Sequence, residues 1–212
     1  MTLYEWQNTS KDISDIIVQA SKIDGSDGWQ PFPIGMQYSY AYNFHKGYSI
    51  QFGPHNQAVL AAFNPTTDQH RRRYEKNRSD IMINLQKNGI SNVKMNPEHY
   101  FDSLPHYKFV MSPEGNGIDC HRHYEAIIAG CIPVIEHNPL IEEKYKGCPI
   151  LYTNDYSEIT ETYLLEKYES MLHEIYDFSS LFLKYYDETI QNEIKMCGNF
   201  WMKETTGKIW YV

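Results

Sequence analysis

The sequence predicts an α/β fold in which helices flank a parallel β-sheet, followed by a helical C-terminal region. Two observations support this prediction. Short apolar runs alternate with helical patterns from residue 58 to residue 152, and such alternation is typical of parallel strands joined by right-handed crossovers. Beyond residue 155, apolar residues recur at helical spacing only. We therefore expect three parts: residues 1–56 packed on the core, an α/β core at residues 57–155, and C-terminal helices at residues 156–212.

The N-terminal part is predicted to contain a helix and an aromatic, loop-rich segment. Thr9 or Ser10 can cap a helix whose apolar residues keep helical spacing as far as Ile23. The residues that follow combine Gly, Pro and aromatic side chains, and short strands are expected at 38–42 and 48–52. This segment either lines a pocket or packs over the sheet edge.

The core is predicted to begin with a buried strand at residues 58–63, AVLAAF. A long helix should follow, capped by Thr66 or Thr67 and stopped by Gly89. Its inward-facing residues are predicted to be Tyr74, Ile81, Met82 and Leu85.

The other core elements are expected to be short. They are a strand at residues 92–95, a helix at 97–104, a strand at 108–111, a helix ended by Gly130, a strand at 131–135, a helix at 139–145 and a strand at 149–152. Their order continues the alternation of strand and helix that the fold prediction rests on.

Residues 107–136 form the most informative stretch, with the order strand, loop, helix and strand. In a parallel sheet this order places the loop and the helix N-terminus at the carboxyl edge, where ligands bind. Gly115 and Gly117 lie in the loop, and backbone amides together with the positive helix end favour anions there. His121 and Arg122 add side-chain donors at the start of the helix. The pattern predicts a phosphate site.

The same stretch resembles a known signature. Residues 112–136, SPEGNGIDCHRHYEAIIAGCIPVIE, are similar to the pattern SPxGNGxDxHRxxEAxxxGxIPI of exostosin-like and related viral and bacterial glycosyltransferases. Weaker similarity extends from FNPTTDQHRRR at residues 63–73 to about Asp155, and the chain departs from the pattern at His123. The resemblance implies the Rossmann-like, donor-binding half of a GT-B enzyme, so that the core would bind a nucleotide-diphosphate sugar.

Transfer from such a donor requires groups that stabilise the phosphates. Arg122 fits this role because a guanidinium can bind two phosphate oxygens at once. Backbone at Gly115, Asn116 and Gly117 can approach the diphosphate closely, or can simply form a tight turn. The resemblance also implies that one of Arg71, Arg72 and Arg73 reaches the phosphates, and Arg71 is the candidate. The alternative is that these three residues form a solvated basic face.

The resemblance implies that Glu125 accepts the two ribose hydroxyls. An ion pair with Arg122, one helical turn away, is the alternative from the spacing. The proton acceptor is sought among Glu114, Asp119 and His121, although Asp119 could instead cap the helix. In enzymes of this type the base commonly comes from the acceptor half.

Metal ions and other cofactors are not expected. Cys120, His121 and His123 lie close together, but residues two apart on a helix or its cap point in different directions, and their spacing is not that of a zinc site. The DxD motif of metal-dependent glycosyltransferases does not occur in the sequence. Binding without metal is therefore favoured.

Composition limits the other classes of function. The sequence has 19 Lys and Arg against 27 Asp and Glu, and the net charge of -8 argues against a nucleic-acid partner. Four cysteines without a CxxC pair favour buried free thiols, Cys131 and Cys148 above all. No apolar stretch is long enough to span a bilayer and residues 1–30 lack a signal-peptide pattern, so a soluble, cytoplasmic protein is expected.

We therefore predict a glycosyltransferase, hexosyl or pentosyl, that moves a sugar from a nucleotide-diphosphate sugar to a glycan or other hydroxyl acceptor, with inversion expected. One alternative is a nucleotide-sugar-binding module that needs a second domain or subunit for catalysis, such as a partner domain or a second copy of the chain. Another is a different α/β enzyme with a phosphorylated ligand.

Overall fold

Four parallel strands form the centre of the computed structural model, which describes residues 1–9, 11, 13–20, 30–45 and 53–211. The strands are β1 (Gln57–Ala61), β2 (Tyr107–Met111), β3 (Ile132–Glu136) and β4 (Leu151–Thr153), hydrogen-bonded in that order. In register, Val59 lies opposite Phe109, and Phe109 lies opposite Ile132. The predicted α/β fold with a parallel sheet is confirmed.

Eight α-helices flank or follow the sheet in the described part of the chain. They are α1 (Leu3–Asn8), α2 (Tyr38–His45), α3 (Arg78–Lys87), α4 (Pro97–Ser103), α5 (His121–Ile128), α6 (Pro139–Lys144), α7 (Glu161–Met171) and α8 (Glu188–Thr206). None of these helices is long and apolar enough to cross a membrane.

The core lies on both faces of β2 and β3, as expected for a parallel sheet covered by helices. Phe109, Val110, Ile132 and Val134 are fully buried. Burial of a side chain of this size contributes roughly 1.5–3 kcal/mol relative to exposure. These central strands therefore hold the loop that follows β2 on a rigid base.

Local capping explains why most of the core helices begin where the sequence predicts. Asn96 accepts a hydrogen bond from the His99 amide and Pro97 occupies the first turn of α4. Asn138 caps α6 in the same way. Gly89 and Gly130 follow α3 and α5 with φ of +81° each, a left-handed backbone that suits glycine.

The prediction of a helix from residue 9 to residue 23 is wrong in its described part. Only Ile13–Asp15 form a short 3₁₀ turn, and Ile16 and Val18 then make isolated bridges to Phe182 and Met36. These fully buried, β-branched residues are extended because tyrosine hydroxyls bind their backbone: the Val18 amide donates to Tyr211.

Residues 38–42 were expected to be a strand and are part of α2 instead. The reason is tertiary packing, since Tyr40 stacks on Phe101 of α4 with 3.7 Å between ring centroids. The strand expected at 48–52 lies outside the described residues.

The helix expected from Thr66 begins only at Arg78. Residues 65–75 form turns in which the fully buried Asp68 accepts a hydrogen bond from the Arg78 amide. The cap is Asn77, which forms a capping box with Asp80. Tyr74 consequently points outward and is 90% exposed.

Two further expectations are corrected. Residues 92–95 form a single bridge instead of a strand, because the Asn92 side chain bonds both backbone groups of Phe63 in place of a neighbouring strand. The helical face expected to continue from α7 through Tyr185 is interrupted by short 3₁₀ turns before α8 begins.

The four cysteines are free thiols, with Cys131 buried and Cys148 partly exposed.

Candidate functional site

A cavity of about 640 Å³ opens at the carboxyl edge of the sheet, beside the ends of β1 and β2. We call residues 113–119 the glycine loop and residues 34–37 the strap. The loop and the strap form two walls, the first turns of α5 form the floor, and Tyr100 and Phe101 of α4 form an aromatic wall. Ligands of open α/β sheets bind at this edge.

Arg78 holds the glycine loop from behind. Its Nε donates to the Glu114 carbonyl and its Nη2 to the Pro113 carbonyl, each at 2.7 Å. A Cβ atom at Gly115 would lie only 2.9 Å from this Nη2. Gly115 is therefore needed because of the guanidinium, since its φ is not in the left-handed region.

The charge of Arg78 is not neutralised by a carboxylate. The residue is 4% exposed and lines the cavity, yet no carboxylate oxygen of the described residues lies within 4.0 Å of its guanidinium. Burial lowers its pKa from the usual value. The sequence did not point to Arg78, because α3 was expected to begin at Thr66. The spacing of Asn77 and Asp80, which is that of a capping box, was the signal that places the start of α3 at Arg78.

Arg122 is the second cation at the cavity without a carboxylate partner in the described residues. Its Nη2 donates to the Ala62 carbonyl at 3.0 Å, and its guanidinium lies 5.2 Å from the centre of the Tyr100 ring. Its Nε and the Tyr100 hydroxyl are buried without a hydrogen bond of good geometry to any described residue. These two groups lie beside each other and are shielded from solvent, so each leaves hydrogen-bonding capacity unused next to the cavity.

The start of α5 faces the same cavity with free backbone donors. Cys120 is the N-cap and its side chain makes no capping hydrogen bond, so the His121 and Arg122 amides are available to an anion, whereas the His123 amide donates to the Cys120 carbonyl. The Gly115 amide is not available either, since it donates to the Gly117 carbonyl at 3.0 Å.

Asp119 does not cap α5, contrary to the alternative raised from sequence. Its carboxylate accepts from the Ile34 amide and Lys144 Nζ, both at 2.9 Å, and from the Tyr145 hydroxyl at 2.8 Å. Three donors therefore hold this carboxylate in place between the strap and α6.

His121 and Glu125 also bind the backbone of the strap. His121 Nδ1 lies 2.7 Å from the Gly35 carbonyl oxygen, and Glu125 Oε1 accepts from the Gln37 amide at 3.1 Å. Gly35 itself has φ of +78°, and a Cβ there would lie 2.5 Å from the Ile17 carbonyl oxygen. His121 and Glu125 thus hold the strap on α5, although the sequence suggested a proton acceptor and a ribose-binding residue at these positions.

Glu125 is 3% exposed at the floor of the cavity. Burial raises the pKa of its carboxyl to about 7, although the Gln37 amide and the charge of Arg122 oppose the shift. The ion pair between Arg122 and Glu125 that helical spacing suggested is not formed, because each side chain is turned to backbone partners instead.

Arg71 and Glu114 lie outside the cavity lining. Arg71 Nη2 and Glu114 Oε2 form an ion pair at 2.7 Å, and Arg71 Nε donates to the Gly115 carbonyl at 3.0 Å. Arg72 pairs with Glu136 at 2.8 Å. These two arginines support the glycine loop and the end of β3 from outside, while Asn116 and Gly117 line the cavity.

The cluster of Cys120, His121 and His123 is divided among separate partners. His123 is fully buried, with Nδ1 2.7 Å from Ser112 Oγ and Nε2 3.2 Å from the Ile118 carbonyl oxygen. Within the described ranges, no three His, Cys, Asp or Glu side chains are grouped so that they could hold a metal ion.

Comparison with protein families identifies a match across the site. The family model named RXYLT1 C-terminal domain matches residues 69–196. The match covers more than half of the chain and includes the glycine loop, α5, Arg78 and Glu125. Comparison with curated proteins found no match.

Proposed function

This chain belongs to the RXYLT1 C-terminal domain family, a xylosyltransferase-related family, and on this premise we propose that it transfers a sugar from a nucleotide-diphosphate donor. The donor binds in the cavity between the glycine loop and the strap. The acceptor is a hydroxyl of a glycan or another molecule, and the transfer inverts the anomeric centre.

The observation that carries this proposal is the pair of guanidinium groups, Arg78 and Arg122, at one cavity without carboxylate partners in the described residues. A buried charge is costly unless an opposite charge binds it. Two unit charges 4 Å apart interact by about 4 kcal/mol at an effective dielectric constant near 20. A diphosphate carries at least two negative charges, so it is the natural counter-ion for this pair.

The helix α5 adds to the same preference. Its N-terminus is equivalent to about half a positive charge, and its first amides have no side-chain cap. During transfer the bond between the anomeric carbon and the phosphate oxygen breaks, and the electron pair leaves with the nucleoside diphosphate. Arg78, Arg122 and the helix amides stabilise the charge that develops on this leaving group.

The remaining cavity suits a nucleoside. Its volume of about 640 Å³ lies within the roughly 300–1,000 Å³ of small-molecule sites. Met95, Pro97, Tyr100 and Phe101 supply an apolar wall for the base. Glu125 Oε1 is already bound by the Gln37 amide, so the other carboxylate oxygen is the one that receives a ribose hydroxyl.

A nucleotide-sugar-binding module is the second candidate function. The described part of the chain contains one four-stranded parallel sheet, whereas a GT-B enzyme has two Rossmann-like domains. In this alternative a partner domain or a second copy of the chain supplies the acceptor site. Transfer or donor hydrolysis by the isolated chain would dismiss it.

A thermal screen tests the proposal. UDP, GDP, their sugar conjugates, the matching nucleosides and inorganic diphosphate are each added to the chain. A ligand at about 100 times its Kd stabilises the native state by about 2.7 kcal/mol, which corresponds to roughly 5–10 °C in Tm at this size. We expect at least one nucleoside diphosphate to reach this shift while its nucleoside does not. Stabilisation by an unrelated phosphorylated ligand alone would reject the proposal in favour of a different phosphate-binding enzyme.

A further inference from the structure

The imidazole of His121 has one nitrogen committed to the strap and the other available at the cavity. Nδ1 lies 2.7 Å from the Gly35 carbonyl oxygen. A carbonyl oxygen only accepts hydrogen bonds, so Nδ1 carries the proton. In the neutral ring Nε2 then has a free lone pair, and no described residue donates to it.

The surroundings of His121 favour the neutral imidazole. Burial lowers the pKa of His121 below its usual value and Arg122 acts in the same direction, while the hydrogen bond to the Gly35 carbonyl and the charge of Asp119 oppose the shift. Asp119 is itself paired with Lys144 of α6. The strap has no charged side chain and contacts His121 through the Gly35 carbonyl. A neutral imidazole with a free Nε2 can accept a proton but cannot donate one to a phosphate oxygen.

His121 lies at the same cavity as the two arginines. It is the first residue of α5 and lines the cavity together with Arg78 and Arg122. A ligand bound at the start of α5 therefore has the His121 side chain beside it.

The competing carboxylates are less suitable. Glu114 is paired with Arg71 away from the cavity lining. Asp119 accepts from three donors. Glu125 is 3% exposed at the floor, where the ribose is proposed to bind.

We propose that His121 Nε2 is the proton acceptor of the transfer reaction, an inference that rests on the proposed function. The acceptor hydroxyl gives its proton to Nε2 as its oxygen forms a bond to the anomeric carbon. The bond from that carbon to the phosphate oxygen breaks, and the electron pair leaves on the nucleoside diphosphate. The imidazolium then releases its proton to solvent. Gly35 has a positioning role, because its carbonyl fixes the tautomer.

The test compares wild-type protein with His121→Asn. Asn places an amide nitrogen near the position of Nδ1, so the hydrogen bond to Gly35 is retained while the base is lost. The probe is the UDP-sugar or GDP-sugar that stabilises the chain most, with water as acceptor. We expect nucleoside diphosphate affinity to stay within about threefold, while release of nucleoside diphosphate from the donor slows about 100-fold or more. Wild-type activity should fall at acidic pH as the ring protonates, and the variant should lose this fall.

A second measurement is independent of turnover. Long-range proton–nitrogen NMR spectra of the wild-type imidazoles, assigned with His121→Asn, should show His121 protonated at Nδ1 and unprotonated at Nε2 at pH 8. A proton on Nε2, or a variant that keeps the wild-type rate within threefold, overturns the role of His121. If wild-type protein binds no nucleoside diphosphate, the proposed function is overturned instead. The control is His173→Asn, which changes an exposed histidine in the same way and should leave binding and rate unchanged.

Discussion

The described arginines near the cavity fall into two groups, those that pair with a carboxylate and those that line the cavity without one. Arg71 pairs with Glu114 and Arg72 with Glu136, and Arg71 and Glu136 also bond the backbone of Gly115 and Glu114. Among the described residues, Arg78 and Arg122 have backbone carbonyls, a thiol and aromatic rings as partners but no carboxylate, so their charge is still available to a ligand. Pairing, and not proximity in sequence, decides which arginine can hold a phosphate.

Glu125 gives a prediction about pH. Its carboxyl has a pKa of about 7 in the folded chain against 4.5 when unperturbed. The folded state therefore keeps the proton longer, and the contribution of this residue to stability is lost as pH rises from about 4.5 to 7. Glu125→Gln cannot titrate. Between pH 4.5 and pH 8 the unfolding free energy of wild-type protein should fall relative to the variant by up to about 3 kcal/mol.

Urea denaturation of both proteins across this pH range provides the measurement. Groups common to the two proteins cancel in the difference. A difference that is flat with pH, or that moves in favour of wild-type protein as pH rises, would show that Glu125 is ionised without cost in the folded chain.

Single residues also mark how far the sequence could be interpreted. Arg122, Glu125 and the glycine loop line one cavity, as the local order of strand, loop and helix suggests, while their roles in binding a donor stay predictions. Arg78 was missed because its position depends on a hydrogen bond from its amide to the buried carboxylate of Asp68, ten residues earlier in the sequence. Its guanidinium reaches Pro113, 35 residues away, and no spacing rule indicates such a contact.

At the level of elements, the glycine loop depends on the buried Arg78 behind it. Three of the atoms that Arg78 contacts are backbone oxygens, of Asn64, Glu114 and Pro113. The loop and the first residues after β1 are therefore tied to α3 through one side chain, in addition to the hydrogen bond within the loop from the Gly115 amide to the Gly117 carbonyl.

Gly115→Ala should test this arrangement. The new Cβ would lie 2.9 Å from Arg78 Nη2, whereas a Cβ at Gly117 would meet its nearest atom at 3.9 Å. We expect Gly115→Ala to lower the unfolding free energy by about 1–3 kcal/mol, as other overpacked sites do. The matched variant Gly117→Ala should change it by less than about 1 kcal/mol. Equal effects in denaturant titrations of the two variants would refute the role assigned to Arg78.

The strap shows why the roles of some predicted residues could not be foreseen. Asp119, His121 and Glu125 bind backbone of residues 34–37, with sequence separations of 85 to 88 residues. The strap has no periodic pattern, so the sequence indicated only a loop-rich segment that lines a pocket or covers an edge. Ile34 and Gln37 line the cavity, which confirms the first of these alternatives for this part of the segment.

At the scale of the whole molecule, the chain carries a net charge of -8, yet two arginines at one cavity have no carboxylate partner among the residues that the structure describes. Long-range repulsion of an anion by the surface is screened within about 10 Å at moderate salt. Buried charges are screened less, so Arg78, which is 4% exposed, can attract an anion inside the cavity despite the negative surface. The division of the chain at residues 56 and 155 stays a prediction.

This charge balance predicts that binding of a nucleoside diphosphate needs no divalent ion. The two guanidinium groups and the helix amides can offset the charge of the diphosphate. Titration calorimetry after dialysis, with and without excess EDTA, should give affinities within about threefold of each other. A fall of more than tenfold in EDTA, about 1.4 kcal/mol, would mean that a metal ion takes part in binding.

The central claim is that the guanidinium groups at the cavity bind the diphosphate, and calorimetry of arginine variants tests it most directly. The best nucleoside diphosphate from the thermal screen is titrated into wild-type protein, Arg122→Ala and Arg73→Ala. Arg73 is exposed and lies outside the cavity lining, so it controls for loss of one positive charge. We predict that Arg122→Ala weakens binding by roughly 1.5–3 kcal/mol, the range for charge-assisted hydrogen bonds, or about 10- to 150-fold. Arg73→Ala should stay within about threefold of wild-type protein. Equal losses in the two variants, or unchanged binding by Arg122→Ala, would contradict the account.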